Sequence, residues 1–136
     1  MFLIRGFQED GQSGYPPGTV LDVGIPLYRL AEVLLHAENL ISALGGDGAT
    51  FSVAFEGLQG RQLASISGRR WLPEQYQAKQ DAFSQTVEID IAQLRDNLSE
   101  VLRELLSALY SSFGFFELSP RLVNEVLDEV HGFRGR

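Results

Sequence analysis

The run from Asp90 to Tyr110 constrains this chain more than any other stretch. At about 100° per residue, Ile91, Leu94, Leu98, Val101, Leu102, Leu105, Leu109 and Phe113 fall on one stripe, while Asp96, Glu100, Arg103, Glu104 and Ser107 fall opposite. This pattern predicts one continuous helix with a buried side and a wet side, stopped at Gly114. Its start is written in as well, since Asp90 is a good N-cap and Gln93 stands at the capping-box spacing. Such a helix must close over another apolar layer, and the remaining chain has to supply it.

The clearest material for that layer is Ala49 to Glu56, which alternates with period two: Phe51, Val53 and Phe55 on one face, Ser52, Ala54 and Glu56 on the other. Gly57-Leu58-Gln59-Gly60 then reads as a hairpin connection, with Arg61 to Ser67 as the return strand. Ala82 to Ile89 resumes the alternation and leads into the Asp90 helix. Phe2 to Phe7 and Thr19 to Val23 read as short strands separated by a loop rich in Gly and Pro.

Pro26 begins a second helix that runs to Leu44, with Gly45-Gly46 as its stop. Leu27, Leu30, Ala31, Leu34, Ala37, Ile41 and Leu44 share its inward arc. Glu38 falls in phase between Leu34 and Ile41, so it is expected either to pair with an arginine or to sit at the rim of the core. Ser119-Pro120 opens a third helix whose apolar stripe is Leu122, Val123, Val126, Leu127 and Val130. The element order predicts a single α+β domain over residues 1–136, with a mostly antiparallel sheet of about four to five strands and helices packed on one face.

Charge and composition narrow the function classes. Asp and Glu outnumber Lys and Arg by 18 to 11, giving a net charge of −7, which argues against a broad surface for nucleic acid or anionic lipid. There is no cysteine, so disulfides and thiolate metal sites are excluded. The two histidines, His36 and His131, have no second ligand at i+4, and neither a metal nor a cofactor is expected. No apolar run reaches the length of about 18 residues that a membrane span needs, and Met1 to Arg5 does not resemble a signal peptide. The expectation is a soluble, cytoplasmic chain without a membrane partner.

Catalytic motifs are not apparent. Gly11-Gln12-Ser13-Gly14 fails as a nucleophile elbow because Tyr15 stands where the last glycine belongs. Gly45-Gly46-Asp47-Gly48 follows a helix and lacks the Lys of a phosphate loop, so it reads as a helix stop. One basic island stands out in the acidic chain: Arg61, Arg69, Arg70 and Lys79, interleaved with Trp71 and Tyr76. Arginine beside aromatic rings suits an anion, a stacked base or a protein partner, and it equally suits a loop whose arginines pair with carboxylates such as Glu38 and Glu56. Phe113, Phe115 and Phe116 around Gly114 read as a plug between consecutive helices, with a docking surface as the alternative.

Three phrases together carry a resemblance: Pro26 to Glu38, the Phe51 to Leu63 segment around Glu56-Gly57-Leu58-Gln59-Gly60-Arg61, and the run from Asp96 through Leu105-Leu106 to Phe115. They look like the C-terminal region of bacterial transcriptional regulators that carry an AlbA_2-type, Schlafen-like DNA-binding module ahead of it. The resemblance implies an accessory domain of a longer protein, which agrees with a β-prone run beginning at Phe2. It assigns no residue roles, and DNA contact would belong to the module and not to these residues.

The function expected from these readings is a sensing or protein-interaction domain without enzymatic activity, with self-association as one form of it. Its partner-binding candidates are Arg61, Arg69, Arg70, Trp71, Tyr76 and Glu38. The alternatives are a domain that binds a small anionic ligand through the arginines near Trp71, or a small hydrolase or transferase using Glu38 or His36 with Arg69 or Arg70.

Overall fold

The structure is a computed structural model that describes residues 6–7, 16–64, 76–113 and 119–134. In chain order it contains β1 (Val20–Asp22), α1 (Ile25–Ala43), β2 (Gly48–Phe55), β3 (Gln62–Ala64), β4 (Phe83–Asp90), α2 (Ile91–Asp96), α3 (Leu98–Ser111) and α4 (Pro120–Arg134). The chain is α+β, as its pattern predicts. The expected strand over Phe2 to Phe7, the end of the return strand at Ser65 to Ser67, the Gly114 stop, and Phe115 and Phe116 fall wholly or mainly outside the described residues.

The helices begin and end where side-chain chemistry says they should. At α1 the buried Asp22 carboxylate accepts from the backbone N–H of Gly24 (2.9 Å) and of Ile25 (3.0 Å), so the capping group comes from the preceding strand. At its other end Gly45 takes φ 70°, Gly46 N–H reaches the Ile41 carbonyl at 2.9 Å and Gly45 N–H reaches that of Ser42 at 3.1 Å. This pair of bonds is the Schellman stop, and the glycine at the left-handed position is what permits it.

The Asp90 capping box forms in both directions: Gln93 N–H donates to Asp90 Oδ1 at 2.8 Å, and Asp90 N–H donates to Gln93 Oε1 at 2.9 Å. The single long helix predicted after it is in fact two. Asn97 leaves helical geometry at φ −132°, ψ 38°, closing α2 and opening α3. Asparagine is a weak helix former because its amide competes for local backbone partners, and the break still leaves Leu94 and Leu98 on either side of it buried. Before α4, Ser119 Oγ accepts from Arg121 N–H at 3.1 Å.

The sheet prediction requires a larger correction. In place of one sheet of four to five strands, the described residues form two separate two-stranded sheets. β2 and β4 pair antiparallel along their whole length, from Gly48 opposite Asp90 to Phe55 opposite Phe83. β1 and β3 pair parallel, Leu21 opposite Leu63. The expected hairpin from β2 into β3 does not form because the intervening turn is tied elsewhere. Leu58 is fully buried, its N–H donates to the Asp81 carbonyl at 2.8 Å, and Gly57 at φ 75° turns the chain away from β2. β3 therefore runs beside β1, and on its other side Leu63 N–H donates to the Tyr76 carbonyl at 2.7 Å.

The core lies where α1, α3 and α4 meet, with α2 and α3 also covering β4. Leu27, Ala31 and Leu34 of α1, Leu102, Leu105, Leu106 and Leu109 of α3, and Val123 and Val130 of α4 are fully buried. At about 25 cal/mol per Å² of apolar surface removed from water, this greasy centre is the main force that holds the fold. Tyr110 is buried with its ring in the core, and its hydroxyl donates to the Val23 carbonyl at 2.6 Å, tying α3 to the end of β1. Phe113 is buried, in keeping with the plug reading. Leu44, expected to face inward, is 77% exposed, because burial along α1 ends at Ile41 and the last turn projects past its neighbours. No helix among the described residues is long and apolar enough to cross a membrane.

Candidate functional site

Arg61, which with Lys79 is one of the two cations of the basic island among the described residues, points inward. It is 4% exposed. Its Nε donates to the Gly57 carbonyl and its Nη1 to the Val20 carbonyl, both at 2.8 Å, and the guanidinium carbon lies 3.7 Å from the centre of the Phe7 ring. The planar fork thus bonds two backbone segments while an aromatic face covers it, an arrangement lysine cannot copy. Arg61 holds β1, the Gly57 turn and Phe7 together.

Tyr76 and Glu38 are the other binding candidates among the described residues. Arg69, Arg70 and Trp71 lie outside the described residues. Tyr76 is half-buried against the core and joins β3 through its backbone carbonyl. Glu38 sits on α1 with Oε1 3.3 Å from Arg95 Nε, and Arg95 Nη2 also donates to Ser42 Oγ at 2.8 Å. Glu38 does pair with an arginine, on α2 and not in the basic island. His36 is exposed. It is two residues from Glu38, a spacing at which helical side chains diverge, so α1 does not bring this acid and this imidazole to one point.

Two features were not singled out from the sequence. One is Asp22, whose capping role depends on β1 ending against the start of α1. Its signal is an Asp two residues before the Gly24-Ile25-Pro26 helix opening. The other is Arg95, whose phase falls beside the apolar stripe of the organising helix and whose partner depends on α2 lying against α1.

What the molecule presents outward is the β2–β4 ribbon. Phe51, Val53, Phe55, Phe83 and Val87 line its inner face, packed against the core yet only half-buried, with the Phe55 and Phe83 rings 6.3 Å apart. Its outer face is exposed and small: Thr50, Ser52 and Ala54 on β2, Ser84, Thr86 and Glu88 on β4, with the Ser52 and Thr86 hydroxyls hydrogen-bonded at 2.9 Å. Among the described residues neither long edge of the ribbon has a further strand beside it. The Gly48 end is tight, since a Cβ there would lie 2.6 Å from the Ile89 carbonyl oxygen and 2.9 Å from Asp90 Cα.

A shallow, open depression lies at this same end, lined by Asp47, Gly48, Thr50, Glu88, Asp90 and Gln93. Asp90 and Gln93 are already engaged in the capping box. Among the described residues no cluster of three His, Cys, Asp or Glu side chains is arranged to hold a metal ion. No protein-family model matches the chain, and no curated protein or solved structure matches it either.

Proposed function

We propose that this chain is a protein-interaction domain that works by contact and not by catalysis, and that it serves as the accessory domain of a bacterial DNA-binding regulator. The observation that carries the contact reading is the β2–β4 ribbon: eight residues per strand, half-buried aromatics inside, and long edges without a partner strand among the described residues. An open edge presents unpaired N–H and C=O groups and is a ready template for another chain. Two strands alone are also marginal as a sheet, so an added strand stabilises what is already there.

The competing readings find less support. Arg61 gives its guanidinium to two backbone carbonyls and a ring, and Glu38 gives its carboxylate to Arg95, so neither stands ready for a substrate or a small anion. The place within a DNA-binding regulator rests on the sequence resemblance. It fits an acidic chain whose phosphate contacts are made by another module.

A photo-crosslinking residue placed at Thr50 on β2, or at Glu88 on β4, tests the contact reading in the native host. Discrete adducts from at least one strand are expected. If neither position gives an adduct, and the purified chain is monomeric at all concentrations, the contact reading fails. The regulatory placement is tested by fluorescence anisotropy with duplex DNA. The chain alone is expected to give no salt-dependent binding, and binding that weakens steeply with salt would reassign the DNA contact to these residues.

A further inference from the structure

Resting on the contact reading above, we propose that the occupant of the β2 edge is a second copy of this chain. Two β2 strands pair antiparallel about a twofold axis at Ser52, joining two ribbons into one sheet of order β4-β2-β2-β4.

Charge selects the edge. A twofold axis sets a strand against itself, so any ionised side chain near it meets its own image. β2, Gly48 to Phe55, holds no ionisable side chain, whereas β4 carries Glu88 and Asp90. In a chain of net charge −7, β2 is the edge at which two copies approach with least repulsion. The acids around this edge are Glu88 and Asp90 on β4, opposite Thr50 and Gly48, and Asp47 and Glu56, just outside the two ends of β2. In the dimer Glu56 of one copy approaches Asp90 of the other, so added salt should strengthen the association.

Register selects the centre. Side chains alternate between faces, so only an axis passing through a residue keeps the inner face of one copy continuous with that of the other. An axis at Ser52 sets Phe51 opposite Val53 of the second copy and Ala49 opposite its Phe55, pairing large with small at every inner position. An axis at Phe51 would oppose the two Phe51 rings and leave Phe55 without an apolar partner. The Ser52 axis also leaves Gly48, already pressed against β4, outside the new pairing.

The chain contains no cysteine, so single cysteines report cleanly. Directly opposed residues of an antiparallel pair have Cα atoms about 4.5–5.5 Å apart, within the roughly 4.4–6.8 Å of a disulfide. Ser52→Cys is expected to cross-link to a covalent dimer under mild oxidation, and Ser84→Cys, an exposed serine on the same face of β4, is expected not to. Light scattering on the unmodified chain should approach twice 15.1 kDa as concentration rises. Ser52→Asp should shift this equilibrium at least tenfold towards monomer, while Thr86→Asp should leave it nearly unchanged. Both variants break the same hydroxyl contact, so their effects on folding are matched. A monomer at every concentration, equal cross-linking of the two cysteine variants, or equal shifts by the two aspartates would overturn the proposal. If the chain is monomeric yet the Thr50 photo-crosslinker captures a different protein, self-pairing is wrong and the contact reading stands. If the chain is monomeric and neither the Thr50 nor the Glu88 probe captures anything, both fall.

Discussion

Arg61 and Asp22 show how far a charged side chain can be absorbed into structure. Arg61 reads as part of a binding island because Arg69, Arg70 and Trp71 follow it, yet its Nε and Nη1 donate to the Gly57 and Val20 carbonyls inside the fold. A hydrogen bond from a charged donor contributes about 1.5–3 kcal/mol, and removing the donor strands two acceptors. Arg61→Met is therefore expected to lower the urea-unfolding free energy by about 3 kcal/mol, and Arg61→Lys to recover less than half of that. An unchanged unfolding midpoint for Arg61→Met would return this residue to the list of binding candidates. Asp22 supplies the cap that Gly24 cannot, so Asp22→Ala should destabilise by about 1–2 kcal/mol, with Asp22→Asn restoring most of it, read from the same curves.

At the scale of elements, the sequence is most informative where a segment's structure is decided by its own residues. The Asp90-Gln93 box, the Gly45-Gly46 stop, the Ser119-Pro120 opening and the alternation of Phe51, Val53 and Phe55 are all local, and each appears in the fold. Gly45→Ala should cost about 1–2 kcal/mol through its left-handed backbone, and Gly48→Ala a similar amount through the clash with Ile89 and Asp90. Thermal melts of the two variants check both values, and amide exchange should show the Gly48→Ala damage confined to the ribbon. Strand pairing is the part that was not legible. A glycine-flanked four-residue connection after β2 has the look of a hairpin, and only the burial of Leu58 and its bond to Asp81, far along the chain, tells β3 to join β1. The break at Asn97 was hidden for a related reason: the apolar stripe runs on through it, from Leu94 to Leu98. The pairing of Glu38 was half legible, since its phase demanded an arginine, but which arginine depends on α2 lying against α1.

For the whole molecule, stability and exposure are unevenly divided, and the proposed use of the ribbon for contact rests on this division. α1, α3 and α4 bury one another, and Tyr110 ties them to β1, so their amides should open only when the whole domain unfolds. The ribbon has two strands, half-buried inner side chains and an outer face in water, so it should open in a smaller step of its own. Native-state hydrogen exchange in low denaturant distinguishes the two. Leu102, Leu105 and Leu106 in α3 should exchange with the free energy and denaturant dependence of global unfolding. Residues of β2 and β4 should exchange faster, with a shallower dependence on denaturant, when the protein is dilute. Raising the concentration should then protect the β2 amides that face away from β4 and leave the outer amides of β4 unchanged, because only the neutral edge is covered by a second copy. Equal protection of ribbon and α3 at high dilution would mean that the ribbon already belongs to the single cooperative core, with no spare edge to offer a partner.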